Sequence, residues 1–179
     1  YTEIYSNERG KVLSLDGVDD YAYVHDKGTL DLSNRFTLAA WVFSNNEDSV
    51  GTIFSKEGLD IDTIKAYNLY VGKNLFGYKL SRDNNLEVAG ISLEKWNHVA
   101  MTYDAFSEPN MKMYINGELV NSENIDVPNK NKRDLLIGRR GYAGGEYGLA
   151  YFKGMLDDLR IYNRALSESE IKELVKVYQ

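Results

Sequence analysis

The chain has no cysteine and only two prolines and two histidines in 179 residues. Without thiols, neither disulfides nor thiolate metal sites hold the fold. His25 and His98 alone give no ligand set for zinc. No apolar run is long enough to cross a bilayer. Basic residues number 21 against 27 acidic ones, for a net charge of −6. That balance argues against nucleic acid or an anionic membrane as partner. The small basic groups at 130–133 and at Arg139-Arg140 read as solvated loop surface. There is no phosphate-cradling glycine motif before a helix and no serine nucleophile elbow. No leader is visible either, and the abrupt start at Tyr1 suggests a module excised from a larger protein.

What the chain does have is 43% hydrophobic residues, 14 tyrosines and 15 glycines. Period-two alternation dominates it. Segment 35–43 reads as a strand with Phe36 and Leu38 on one face. Short strands follow at 51–56, 65–71, 75–82 and 86–89, each bounded by Gly, Asn or Asp. Segment 96–104 is a further strand, with Val99, Met101 and Tyr103 on one side. Strands at 111–115 and 118–121 flank Asn116-Gly117, a strong short-range hairpin signal. Strands at 135–138 and 155–162 complete the set. One helix is expected at the end, opened by the capping box Ser167-Glu168-Ser169-Glu170. Its apolar stripe is Ile171, Leu174, Val175 and Tyr178, which packing against a sandwich explains. No linker, repeat or low-complexity run divides the chain, so 1–179 reads as one module.

Two aspartate-rich segments mark the ends. Leu15-Asp16-Gly17-Val18-Asp19-Asp20-Tyr21 lies near the start and Met155-Leu156-Asp157-Asp158-Leu159 near the finish. Carboxylates beside apolar strands are costly to bury unpaired. The pattern makes sense if the first and last strands lie side by side and share a cation or a hydrogen-bond network. Alternation places Asp157 on the face of Met155, Leu159 and Ile161, and Asp158 with Arg160 on the other.

Six segments in order resemble a known family: 15–21, Phe36-Thr37-Leu38-Ala39-Ala40-Trp41-Val42, 96–104, 112–118, Leu136-Ile137-Gly138 and 156–167. Together they are similar to the laminin-G-like, concanavalin-A-like jelly-roll superfamily, and most closely to bacterial modules appended to secreted glycosidases, sialidases, peptidases and adhesins. The resemblance covers nearly the whole chain. It implies an all-β, two-sheet antiparallel β-sandwich (jelly roll) with one short C-terminal helix. In such a fold Trp41 and Trp96 suit the space between sheets packed about 10 Å apart. The resemblance also implies a structural calcium held near the paired end strands. The candidate ligands are Asp16, Asp19 and Asp157, with Asp20 and Asp158 in reserve. The alternative is that these aspartates cap turns or accept backbone amides without an ion.

Catalysis is not expected. Retaining glycoside hydrolysis needs two carboxyls about 5–5.5 Å apart, and adjacent Asp157 and Asp158 point to opposite faces of a strand. Glu87, Glu118 and Glu146 stand alone. The segment 139–148 is the richest candidate ligand surface. Tyr142 and Tyr147 would be platforms for sugar rings, while Arg139, Arg140 and Glu146 would bond hydroxyls or an acidic sugar. A second candidate is the sheet face carrying Tyr67, Tyr70, Tyr78 and Arg82, of which half must point inward. The expected function is a non-catalytic carbohydrate-binding module of a secreted or cell-surface bacterial protein, with a glycan or glycoprotein and neighbouring domains as partners. The alternative is a laminin-G-type adhesion domain with no sugar ligand.

Overall fold

The computed structural model describes residues 1–6, 8–57, 67–79, 85–128, 130–141 and 148–176, Asn85 by its backbone alone. Thirteen strands and one helix occur among them. They are β1 (Thr2–Ser6), β2 (Gly10–Asp16), β3 (Ala22–Val24), β4 (Arg35–Ser44), β5 (Val50–Ser55), β6 (Asn68–Gly72) and β7 (Leu75–Lys79). Then come β8 (Asn85–Ala89), β9 (Trp96–Asp104), β10 (Met111–Ile115), β11 (Glu118–Glu123), β12 (Leu135–Ile137), β13 (Lys153–Tyr162) and α1 (Glu168–Lys176). The strands form a seven-stranded sheet in the order β1-β2-β13-β4-β9-β10-β11 and a six-stranded sheet in the order β3-β12-β5-β6-β7-β8. Every pairing is antiparallel. This is the all-β sandwich with a single C-terminal helix that the pattern implied.

Alternation decides what lies between the sheets. Phe36, Leu38, Ala40 and Val42 of β4 and Val99, Met101 and Tyr103 of β9 face Phe54, Leu69, Val71, Phe76 and Tyr78 of the other sheet in one core cluster. Fully burying a large apolar side chain contributes about 1.5–3 kcal/mol. The β10–β11 hairpin turns on Asn116 (φ 51°) and Gly117 (φ 84°), the two left-handed residues that a type I′ turn requires.

The same parity that fills the core expels both tryptophans from it. Trp41 pairs with His98 and Phe43 with Trp96 across β4 and β9, on the outer face of the seven-stranded sheet. The expectation that Trp41 and Trp96 fill the space between the sheets is therefore corrected. A strand with Val42 and Val99 inward must send Trp41 and His98 outward.

Helix α1 packs on this outer face too. Ile171 meets Ala39, Ala100, Tyr114 and Leu166, where the two alanines leave room for a helix. The capping box forms as read: the Ser167 amide donates to Glu170 Oε2 (2.8 Å) and the Glu170 amide to Ser167 Oγ (3.3 Å). Tyr178 lies outside the described residues.

Candidate functional site

The first and last acidic segments do meet. β2 and β13 are neighbours, with Lys153 opposite Asp16 and Leu156 opposite Leu13. Their carboxylates, however, do not converge on one point. Asp157 and Asp158 are held by Arg9, whose Nε donates to Asp157 Oδ2 at 2.7 Å and whose Nη2 donates to Asp158 Oδ2 at 3.2 Å. The guanidinium also covers the rings of Trp41 (4.3 Å) and Trp96 (5.2 Å).

This corrects two expectations. Asp157 points outward, opposite Trp41, rather than among apolar neighbours. Asp157 and Asp158 also reach the same cation despite being adjacent. Asp158 has φ 46°, and the register with β4 shifts between Asp157 and Arg160. Such a bulge rotates the strand by an extra residue and defeats simple alternation. Arg9 bridges both carboxylates and Arg160 Nη2 adds a contact to Asp158 Oδ1 at 3.4 Å, so both acids are committed to ion pairs.

Next to this clasp, His98 is almost fully buried, and its Nδ1 has no partner. Burial, assisted by the charges of Arg160 and Arg9 and opposed by Asp158, lowers its pKa to about 4. Between that value and the usual 6.5, the unfolded chain binds a proton that the native one refuses. Stability should therefore rise with pH across this window and be lost as pH falls through it. Melting curves from pH 4 to 7 are expected to show this slope, and His98→Phe is expected to flatten it. An unchanged slope in the variant would assign the effect to other groups.

The acidic loop after β2 brings Asp16 and Asp19 together with Asp20, not with Asp157. One carboxylate oxygen from each of the three lies within 4.8 Å of the others. Asp16 Oδ1 accepts from the amides of Val18 (2.8 Å), Asp19 (3.3 Å) and Asp20 (3.4 Å). These bonds, Val18's foremost, hold its carboxyl below the usual range. The donor set is all carboxylate oxygen, which fits a hard cation such as calcium. It supplies three of the six to eight oxygens that calcium takes, leaving carbonyls or water to complete the shell.

The described part of the 139–148 segment differs from a free basic loop. Arg140 is buried, and its Nε donates to Glu57 Oε2 at 2.9 Å. Arg139 stacks over Tyr21 (4.5 Å) and Tyr151 (5.7 Å). Reading Arg139-Arg140 as solvated surface is thus corrected for Arg140, whose partner stands 83 residues away in sequence. Tyr142, Glu146 and Tyr147 lie outside the described residues, as does Arg82.

Of the tyrosines on the six-stranded sheet, Tyr67 and Tyr78 join the core and Tyr70 faces outward. The Tyr70 ring lies across Gly77 of the next strand, where a Cβ would come within 2.2 Å of its Cζ. Its hydroxyl donates to Glu87 Oε1 at 2.7 Å. Beside Tyr70 is a hollow on the outer face of this sheet, lined by Val50, Thr52, Asn68, Lys79, Arg140 and Ala150. Thr52 and Asn68 are 1% and 2% exposed, yet Thr52 Oγ1 and Asn68 Oδ1 have no hydrogen-bond partner. Buried polar atoms are nearly always bonded; of the seven without a partner among the described residues, these two line one hollow. Neither residue stood out as a site candidate from sequence. The sequence signal was no more than a polar side chain in each of two mainly apolar strands.

Fold and site together define the class: a two-sheet jelly roll with a small, mainly apolar hollow on one outer face and an acidic loop at one end. Residues 16–172 match the family model described as "Concanavalin A-like lectin/glucanases superfamily", and the chain belongs to that family. No curated protein sequence matches it. Among solved structures it is similar to domain 4 of AbnA, a GH43 extracellular arabinanase from Geobacillus stearothermophilus, in complex with arabinotriose. There the identity is 21% and the TM-score 0.69, with 98% of this chain and 82% of that one covered. It is also similar to the CBM40 of the Ruminococcus gnavus IT-sialidase bound to α2,3-sialyllactose, at 17% identity and a TM-score of 0.69, covering 92% of this chain and 95% of that one. A third is the binding domain of Paraclostridial Mosquitocidal Protein 1, at 16% identity and a TM-score of 0.71. The alignment covers 99% of this chain and 45% of that one, so the chain spans under half of that structure. At these identities the likeness concerns the fold.

Proposed function

We propose that residues 1–179 form a single non-catalytic, lectin-like module that binds glycans at the hollow beside Tyr70. The observation that carries this reading is the pair of buried, unpartnered polar atoms, on Thr52 and Asn68, lining one hollow beside the buried Tyr70 ring. Small-molecule sites combine an apolar floor with a few placed polar groups that fix orientation. Two of the similar solved structures are sugar-bound domains of glycan-processing enzymes, which supports the same class of ligand. In that setting the module belongs to a secreted or cell-surface bacterial protein. An array of immobilised oligosaccharides is the test: binding to a defined set that Tyr70→Ala abolishes is expected. A flat array beside tight binding of a protein partner would replace this reading with adhesion.

Calcium is proposed as a structural ion on Asp16, Asp19 and Asp20. Bound there, it would offset two of the three clustered negative charges and stiffen the turn into β3. Millimolar calcium is expected to raise the melting temperature by a few degrees, Asp19→Asn to remove the gain, and excess chelator to reverse it. Identical melts in calcium and chelator, with no metal in elemental analysis, would leave the loop held by its backbone amides and the Tyr1 ammonium on Asp20.

A further inference from the structure

We infer that the hollow takes a neutral sugar and rejects a sugar carboxylate. This rests on the glycan-binding reading and specifies its ligand. The argument starts from the polarity of the two orphans. Asn68 Oδ1 is an acceptor only, and Thr52 Oγ1 can donate once and accept. A ligand that satisfies the amide oxygen must therefore bring a donor. A sugar hydroxyl is donor and acceptor at once, whereas an ionised carboxylate brings acceptors alone.

The cations around the hollow do not reverse this preference. Arg140 is already neutralised by Glu57 at 2.9 Å, and Lys79 also has a partner. A carboxylate entering here would approach Asn68 Oδ1 with no uncommitted guanidinium to receive it. Taking a charge out of water without a partner is strongly unfavourable.

Size points the same way. The enclosed floor has room for about 20 Å³, close to one water-sized group. A hydroxyl or hydroxymethyl fits that space while the sugar ring stays outside it. In the free protein a water suits the same position, and a hydroxyl reproduces its hydrogen bonds on displacing it. A carboxylate cannot reproduce the bond to the amide oxygen.

The test is an oligosaccharide array holding neutral and acidic members, with arabinotriose, lactose and α2,3-sialyllactose among them. Calorimetric titration of the best neutral and best acidic probe then follows, on the parent chain, Thr52→Val and Asn68→Leu. The expected result is binding of the neutral probe, weakened at least about tenfold by each substitution. Melting temperatures should hold or rise, because deleting an unpaired buried polar group is close to neutral or stabilising. Binding confined to acidic probes, or neutral binding that neither substitution weakens in folded protein, overturns this inference and leaves the lectin-like reading standing. An array with no bound member removes that reading, and this inference with it.

Discussion

Lys56→Met is expected to lower the melting temperature by roughly 10 °C. The Lys56 ammonium is 1% exposed at the end of β5. It donates to Asp31 Oδ1 at 2.9 Å and to the Asn131 carbonyl at 2.6 Å, and lies 3.2 Å from Asp26 Oδ1. Three donors thus meet three acceptors from two connections, β3–β4 and β11–β12. Asn131 answers by donating Nδ2 to the Lys56 carbonyl at 2.9 Å. Methionine keeps the length and removes the charge, which strands two carboxylates and a carbonyl. Removing one partner from such a buried set costs about 3–5 kcal/mol, and each kcal/mol is worth about 2–4 °C at this chain length. Adding Asp26→Asn and Asp31→Asn should recover part of the loss, since no charge then remains to be paired. A single variant that melts with the parent would mean that the ammonium is solvated.

Arg9→Met should follow closely, at about 3 kcal/mol, with a red shift in tryptophan emission. The guanidinium is almost fully buried between the Asp157–Asp158 pair and the faces of Trp41 and Trp96. Its loss takes this cation from Asp157, leaves Asp158 with Arg160 alone at 3.4 Å, and uncovers both indoles. Asp157→Asn is expected to cost less, because Arg9 keeps Asp158. Neither effect should depend on calcium, because this clasp is separate from the Asp16–Asp20 loop. A drop that appeared only in calcium would tie Asp157 back to an ion. Unshifted emission in the arginine variant would mean that the tryptophans are covered by something else.

The residues legible in sequence were those whose role is set by near neighbours. Alternation located β4 and β9 and their inward residues, Asn116-Gly117 marked the hairpin, and Ser167–Glu170 announced α1. The pairing of β2 with β13 was also legible, because two aspartate-rich strands needed a reason to meet. What stayed hidden depends on partners distant in sequence. Arg9 is 148 residues from Asp157, and Arg140 is 83 from Glu57; neither pairing has a periodic signature. The bulge at Asp158 reversed the parity on which the facing of Asp157 and Asp158 was argued. The tryptophans were read from size alone, although the parity that buries Val42 and Val99 already sends Trp41 and Trp96 outward. The hollow was invisible because Thr52 and Asn68 matter for hydrogen bonds they lack, a property only three dimensions reveal.

Amide chemical-shift mapping during titration with an array-selected oligosaccharide tests the central claim most directly. The account predicts shifts centred on Thr52, Asn68, Tyr70 and Gly77, on the outer face of the six-stranded sheet. Shifts centred on the Asp16–Asp20 loop or around Arg9 and Trp41 would contradict it and move the ligand to another surface.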